Sequence, residues 1–249
     1  MFNIIYSEFL KLKKSYIIII TLIAAVFIPI LECIQALSND CSGSSDTLRY
    51  TLFMGYRVNI EVICFQFLYI VFFSLIASYI FSREFADKTT NTLFVYPSSR
   101  IKIFIGKLLT VYIIIAFAYL IQFISTYLTL YISWGKLLPA YLILKDIKVN
   151  LYSILFQFLL MPVPILIGNL TKNIIFPVVY GILGAVSSAF MMLMDIYMQM
   201  DPLMLPALPI YYFYKGDPID FVLVISSATL TFGVSMFLCV YHYINVDIN

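Results

Sequence analysis

The side chains able to do chemistry are few and fall in two places. Glu32, Arg57 and Glu61 stand in or beside long apolar runs, and a charged stretch from Ser82 to Arg100 separates two such runs. An isolated charge at mid-depth in a bilayer costs about 2.5–3.5 kcal/mol on insertion scales, so residues of the first kind must pair, reach the interface or meet a ligand. Arg57 precedes Glu61 by one helical turn and can share its face, though in the weaker Arg-first order. With Glu32 they make a candidate outward-facing vestibule for cationic ligands; interfacial side chains in contact with water are the plainer alternative. Catalytic chemistry finds no support. The chain has one His, His242, no HExxH and no apolar run holding two acidic residues, so an intramembrane hydrolase lacks its groups. Cys33, Cys41, Cys64 and Cys239 form no CxxC and have no His close by, so no metal site is expected. A disulfide from Cys41 to Cys33 or Cys64 stays open; Cys33, Cys64 and Cys239 otherwise read as small apolar helix residues. Gly106-Lys107 is not a P-loop, because Leu108 stands where Ser or Thr is needed and no Gly lies five positions before Gly106. No cofactor is expected on this chain.

These residues need elements to position them, and composition names the class. Of 249 residues 63% are hydrophobic and 11% charged, far too few charges to cover a soluble domain of this size. The expected fold is all-α, a polytopic membrane protein with the whole chain, 1–249, as one transmembrane domain. A net charge of +2 and the lack of any Lys/Arg run argue against nucleic acid as a partner. Six apolar runs are long enough to span: about 16–37, 58–81, 105–132, 151–170, 174–194 and 221–243. The first is too long for a signal-peptide core and lacks a small-residue cleavage site after it, so it is expected to be a retained span. Before it, residues 1–15 form an expected interfacial helix, with Ile5, Phe9, Leu12 and Tyr16 on one face and Ser7, Glu8, Lys11 and Lys14 on the other. Lys11, Lys13 and Lys14 precede the first span, and Arg83, Lys88, Arg100, Lys102 and Lys107 follow the second. That bias puts both termini in the cytoplasm of a cell with this protein in its plasma membrane. The outer connections are then 38–57, 133–150 and 195–220. Pro29, Pro162, Pro164 and Pro177 should kink the first, fourth and fifth spans, and Gly181, Ala185 and Ser188 give the fifth a small-residue face for close packing.

The connection at 82–104 is the most charge-dense part of the chain. Arg83, Glu84, Asp87 and Lys88 supply ion-pair partners, and Phe85, Leu93, Phe94 and Tyr96 supply apolar anchors, which together suit docking on a cytoplasmic protein. Pro97 should end a short helix there, and Ser98 or Ser99 can cap the next. An acidic residue after the second span, then Thr, Leu, Pro, a basic residue and a Gly-Lys pair occur here as Glu84, Thr89, Leu93, Pro97, Arg100 and Gly106-Lys107. In that order and place they resemble the first cytoplasmic loop of ABC exporter permeases of the lantibiotic-immunity and bacitracin-resistance type. The six-span plan, the amphipathic start and the length near 250 are similar to that family too. The resemblance implies a coupling helix in this loop, seated in a groove of a separate ATPase that supplies the ATP and Mg. It further implies two ATPase copies and a second permease, non-identical or a second copy. Its implied activity is expulsion of an antimicrobial peptide. Export of a lipid, ion or small amphiphile is the alternative, as is a channel or scaffold without ATPase.

Overall fold

The computed structural model describes residues 2–13, 15–38, 46–86, 99–136 and 138–245, which are helical apart from short connections, with no strand among them. The N-terminal helix α1 (Phe2–Lys13) leads into α2 (Ile17–Ser38). Next, α3 (Asp46–Val62) continues through a π-helical segment, Ile63–Leu68, into α4 (Tyr69–Ala86). The longest element is α5 (Arg100–Trp134), followed by α6 (Ala140–Leu160), α7 (Pro162–Thr171) and α8 (Ile175–Met191). Short helical turns occupy 195–215 before the last helix, α9 (Phe221–Asn245).

Five stretches are long and apolar enough to cross a membrane: Ile17–Ser38, Tyr50–Arg83, Arg100–Trp134, Ala140–Thr171 and Phe221–Ile244. The 17-residue α8 is the sixth apolar helix, at the short end of the spanning range. Large apolar side chains such as Ile23, Leu120, Leu183 and Leu230 point outward, as hydrocarbon permits and water does not. The expected polytopic helical architecture is what the chain adopts.

Three expectations need correction. The connections expected at 38–57 and 133–150 are largely helical: α3 is already formed at Asp46, and α6 starts at Ala140. Gly135 ends α5 in the left-handed conformation at φ 71°, and Pro139 stands at the N-cap of α6, so the true turn is short. The connection expected at 195–220 is instead folded into the bundle, with Met204, Leu205, Ala207, Leu208 and Ile210 buried. Irregular backbone can be buried there because protein surrounds it. In α1, Glu8 was expected on the polar face but is buried; Lys11 Nζ lies 2.7 Å from its Oε1.

Of the four prolines, Pro162 separates α6 from α7, with Pro164 in the first turn of the latter. Pro29 sits inside an unbroken α2, and Pro177 falls in the first turn of α8, where its missing N–H is harmless. The small face of α8 meets α4 and its π-helical approach. A Cβ on Gly181 would stand 2.9 Å from Val71 Cα and 3.1 Å from Ile70 O. Backbone cannot yield as a side-chain tip can. Gly181→Ala should therefore destabilise by about 1–3 kcal/mol, the usual range for overpacking. Gly233→Ala, with nothing within 4 Å, should be nearly neutral. Thermal unfolding of the two variants in detergent checks the contrast, and equal unfolding temperatures would contradict the close approach.

Candidate functional site

At the end of the bundle where α4 stops and α5 starts, several elements converge on Gly106-Lys107. A Cβ on Gly106 would come 2.6 Å from Ile4 Cγ2, so glycine is what lets α1 lie against α5. Lys107, fully buried, donates from Nζ to the carbonyl of Ile80 at 3.1 Å, near the C-terminal end of α4. Phe104 stacks edge-on against Phe81 and tilts against Tyr243, both at 5.4 Å between centroids, joining α5 to α4 and α9. Arg100 donates from Nη1 to the carbonyl of Ile244 at 2.7 Å, tying the start of α5 to the end of α9. Arg83 lies 5.2 Å from the Tyr79 ring centroid. Both ends of the 82–104 connection are thus fixed to a packed base. Of the residues expected to contact an ATPase, Asp87, Lys88, Thr89, Leu93, Phe94 and Pro97 lie outside the described residues. Glu84 and Phe85 are in the last turn of α4.

Toward the opposite end lies a second constellation. Arg57 and Glu61 share a face of α3, as their spacing requires, but Arg57 does not take Glu61 as its hydrogen-bonded partner. Its Nη1 donates to Asp146 Oδ1 on α6 at 2.5 Å. Asp146 also accepts from the Tyr127 hydroxyl at 2.5 Å and the Tyr214 hydroxyl at 2.7 Å. One carboxylate thereby joins α3, α5, α6 and the 211–215 segment. The Arg57 guanidinium lies 4.6 Å from the Tyr214 ring centroid, and Lys145 Nζ approaches the same ring at 5.6 Å. Glu61 Oε1 accepts from Asn150 Nδ2 at 3.2 Å. Arg57, Glu61 and Asp146 are all sealed from solvent, at 4%, 3% and 1% exposure.

The polar face of α6 continues inward. Asp146, Asn150, Ser153 and Gln157 recur at helical spacing and are all buried. Beside them, Gln66 in the π-helical segment donates to the Ser188 carbonyl at 3.2 Å and accepts from the Tyr211 hydroxyl at 3.2 Å. The π turn, an extra residue in the helix, is thus pinned to α8 and to the folded-in segment. Such turns are frequent at functional sites.

Glu32 belongs to neither network. It is buried on α2, beside a small cavity also lined by Cys33, Tyr56, Ile60 and Ser133. Cys33, Cys64 and Cys239 are free thiols, and Cys41 lies outside the described residues. Among the described residues no group of three or more His, Cys, Asp and Glu could hold a metal. Residues 4–188 match the family model for ABC-2 family transporter proteins. No curated protein matches the chain.

Proposed function

The chain belongs to the ABC-2 transporter family, and from that premise we propose that it is a permease through which ATP hydrolysis on a separate subunit expels an antimicrobial peptide, lantibiotic-like or bacitracin-like. As the membrane component of an ABC transporter, it partners with an ABC ATPase. The match over residues 4–188, which runs from α1 through most of α8, is the observation that carries the reading. It removes the grounds for a channel or scaffold without ATPase.

The finer assignments are ours. The connection at 82–104 seats in the ATPase, with Arg83 and Glu84 at its base and Leu93 and Phe94 as anchors. Two ATPases, holding ATP and Mg, drive two permeases, either two different chains or two copies of this one. Both termini face the cytoplasm, supported by Lys11 and Lys13 before α2 and by Arg100, Lys102 and Lys107 at the start of α5. The far end of the bundle then faces outside. A vestibule containing Glu32, Arg57 and Glu61 would open from the closed arrangement described above, which the ion pair of Arg57 with Asp146 holds shut.

One observation favours the second substrate class, a lipid or small amphiphile. A groove of about 480 Å³, lined by Phe67, Val71, Ile182, Val186, Phe190 and other apolar residues, opens on the membrane-facing side between α4 and α8. It could receive an acyl chain, or the hydrophobic face of a peptide. Deleting the gene and exposing the cells to lantibiotics, bacitracin and unrelated amphiphiles separates the classes. Increased sensitivity to a peptide is expected. Unchanged sensitivity to every peptide, with the transporter expressed in the parent strain, contradicts the peptide reading and leaves family membership intact.

A further inference from the structure

The far polar cluster has an unbalanced count of charge. It encloses two carboxyl groups, Glu61 and Asp146, and one guanidinium, Arg57, all at least nine-tenths buried. Asp146 is fully served: Arg57, Tyr127 and Tyr214 all donate to it. Glu61 receives only the Asn150 amide on Oε1, and its Oε2 has no hydrogen-bond partner. The amide oxygen of Asn150, whose Nδ2 holds Glu61 Oε1, is also buried and unpartnered. Arg57, one turn before Glu61, faces it, but Nη1 donates to Asp146 and Nε donates to neither carboxylate. Tyr214 lies against Glu61, but its one hydroxyl proton goes to Asp146. Cys64 follows on the same helix, and Tyr119 approaches from α5; neither carries positive charge. Lys145 is cationic, but it is only half-buried and its Nζ lies over the Tyr214 ring, 5.6 Å from the centroid, outside the enclosed cluster; Glu32 lies beside Ile60. A buried carboxylate with one amide donor and no cation of its own is not a stable arrangement in an apolar interior.

We propose that the cluster binds one monovalent cation at Glu61, a proton or a sodium ion, taken up by the two acceptor oxygens that have no donor, Glu61 Oε2 and Asn150 Oδ1. Bound charge makes the cluster neutral and lets α3, α5, α6 and the 211–215 segment close on it. Release leaves one negative charge enclosed and favours opening at the far end. The site is therefore a cation-linked latch, whatever substrate the transporter carries.

The test uses the full-length permease purified in detergent. Infrared spectra report a protonated carboxyl through its C=O stretch, and thermal unfolding is compared in sodium and choline chloride. If the cation is a proton, wild type shows a protonated-carboxyl band that Glu61→Gln removes, and sodium has no specific effect. If it is sodium, wild type unfolds at higher temperature in sodium chloride than in choline chloride, and Glu61→Gln loses the difference. Glu61→Asp keeps a carboxyl and should displace the band or weaken the sodium effect without abolishing it, which covers poor folding of the glutamine variant. A wild-type protein with neither the band nor the sodium response overturns the proposal, as does a band or response that both variants leave unchanged.

Discussion

Asp146→Ala should be the most damaging single substitution at the far end of the bundle. It leaves Arg57 buried without its carboxylate and removes the acceptor from the Tyr127 and Tyr214 hydroxyls. Breaking a buried pair by deleting one partner costs about 3–5 kcal/mol, and here the guanidinium and two buried hydroxyls lose the acceptor they share. Removing both charges is a different matter. The double variant Arg57→Met with Asp146→Leu should recover much of the loss, since apolar side chains of similar volume often replace a buried pair with little penalty. Gel filtration of the detergent-solubilised protein after graded heating reads both effects. The expected order of stability is wild type, then the double variant, then Asp146→Ala well below. An Asp146→Ala protein as stable as wild type would contradict the role given to this carboxylate in joining four elements.

That role was not legible in the sequence, and the reason is physical. Asp146 sits with Lys145 and Lys148 in a stretch whose mixed charge lowers the local hydropathy, so it reads as an outer connection. The charge of Asp146 is instead met by Arg57, 89 residues away in the chain, which no local window can register. A signal existed nonetheless: Asp146, Asn150, Ser153 and Gln157 fall on one helical face, a pattern a loop has no cause to keep. The folded-in segment carried a signal too. Pro202, Pro206 and Pro209 punctuate an apolar run that ends at Gly216, too short to span but of the length of a re-entrant piece. The π-helical segment at Ile63–Leu68 left no mark, because one extra residue changes neither composition nor hydropathy. By contrast, the apolar helices themselves were legible, since about 20 apolar residues in a row have few other uses. So was the Gly106-Lys107 pair, although the sequence could say only that it recurs in a family. The packing shows what each member does: the glycine admits α1, and the buried lysine bonds the Ile80 carbonyl within α4.

The second large effect is expected in the connection proposed to dock the ATPase. Leu93→Ala or Phe94→Ala removes an apolar anchor from the proposed coupling element. Truncating a central anchor commonly costs about 2 kcal/mol or more, roughly a thirtyfold loss of affinity for the ATPase. Expression and unfolding temperature of the permease alone should not change. Ser98→Ala, in the same connection but without an apolar side chain to lose, should have little effect. Full assembly and full transport by the alanine variants would remove this connection from the coupling path, while leaving open that another surface serves.

Co-purification tests the central claim most directly. The tagged full-length chain, extracted from its own membrane in mild detergent, should bring down a Walker-containing ATPase in fixed proportion, and Leu93→Ala or Phe94→Ala should deplete that ATPase relative to the tagged chain. Recovery of the wild-type chain without any such ATPase, from membranes in which the transporter is active, would contradict the account of this protein as a permease driven by a separate motor.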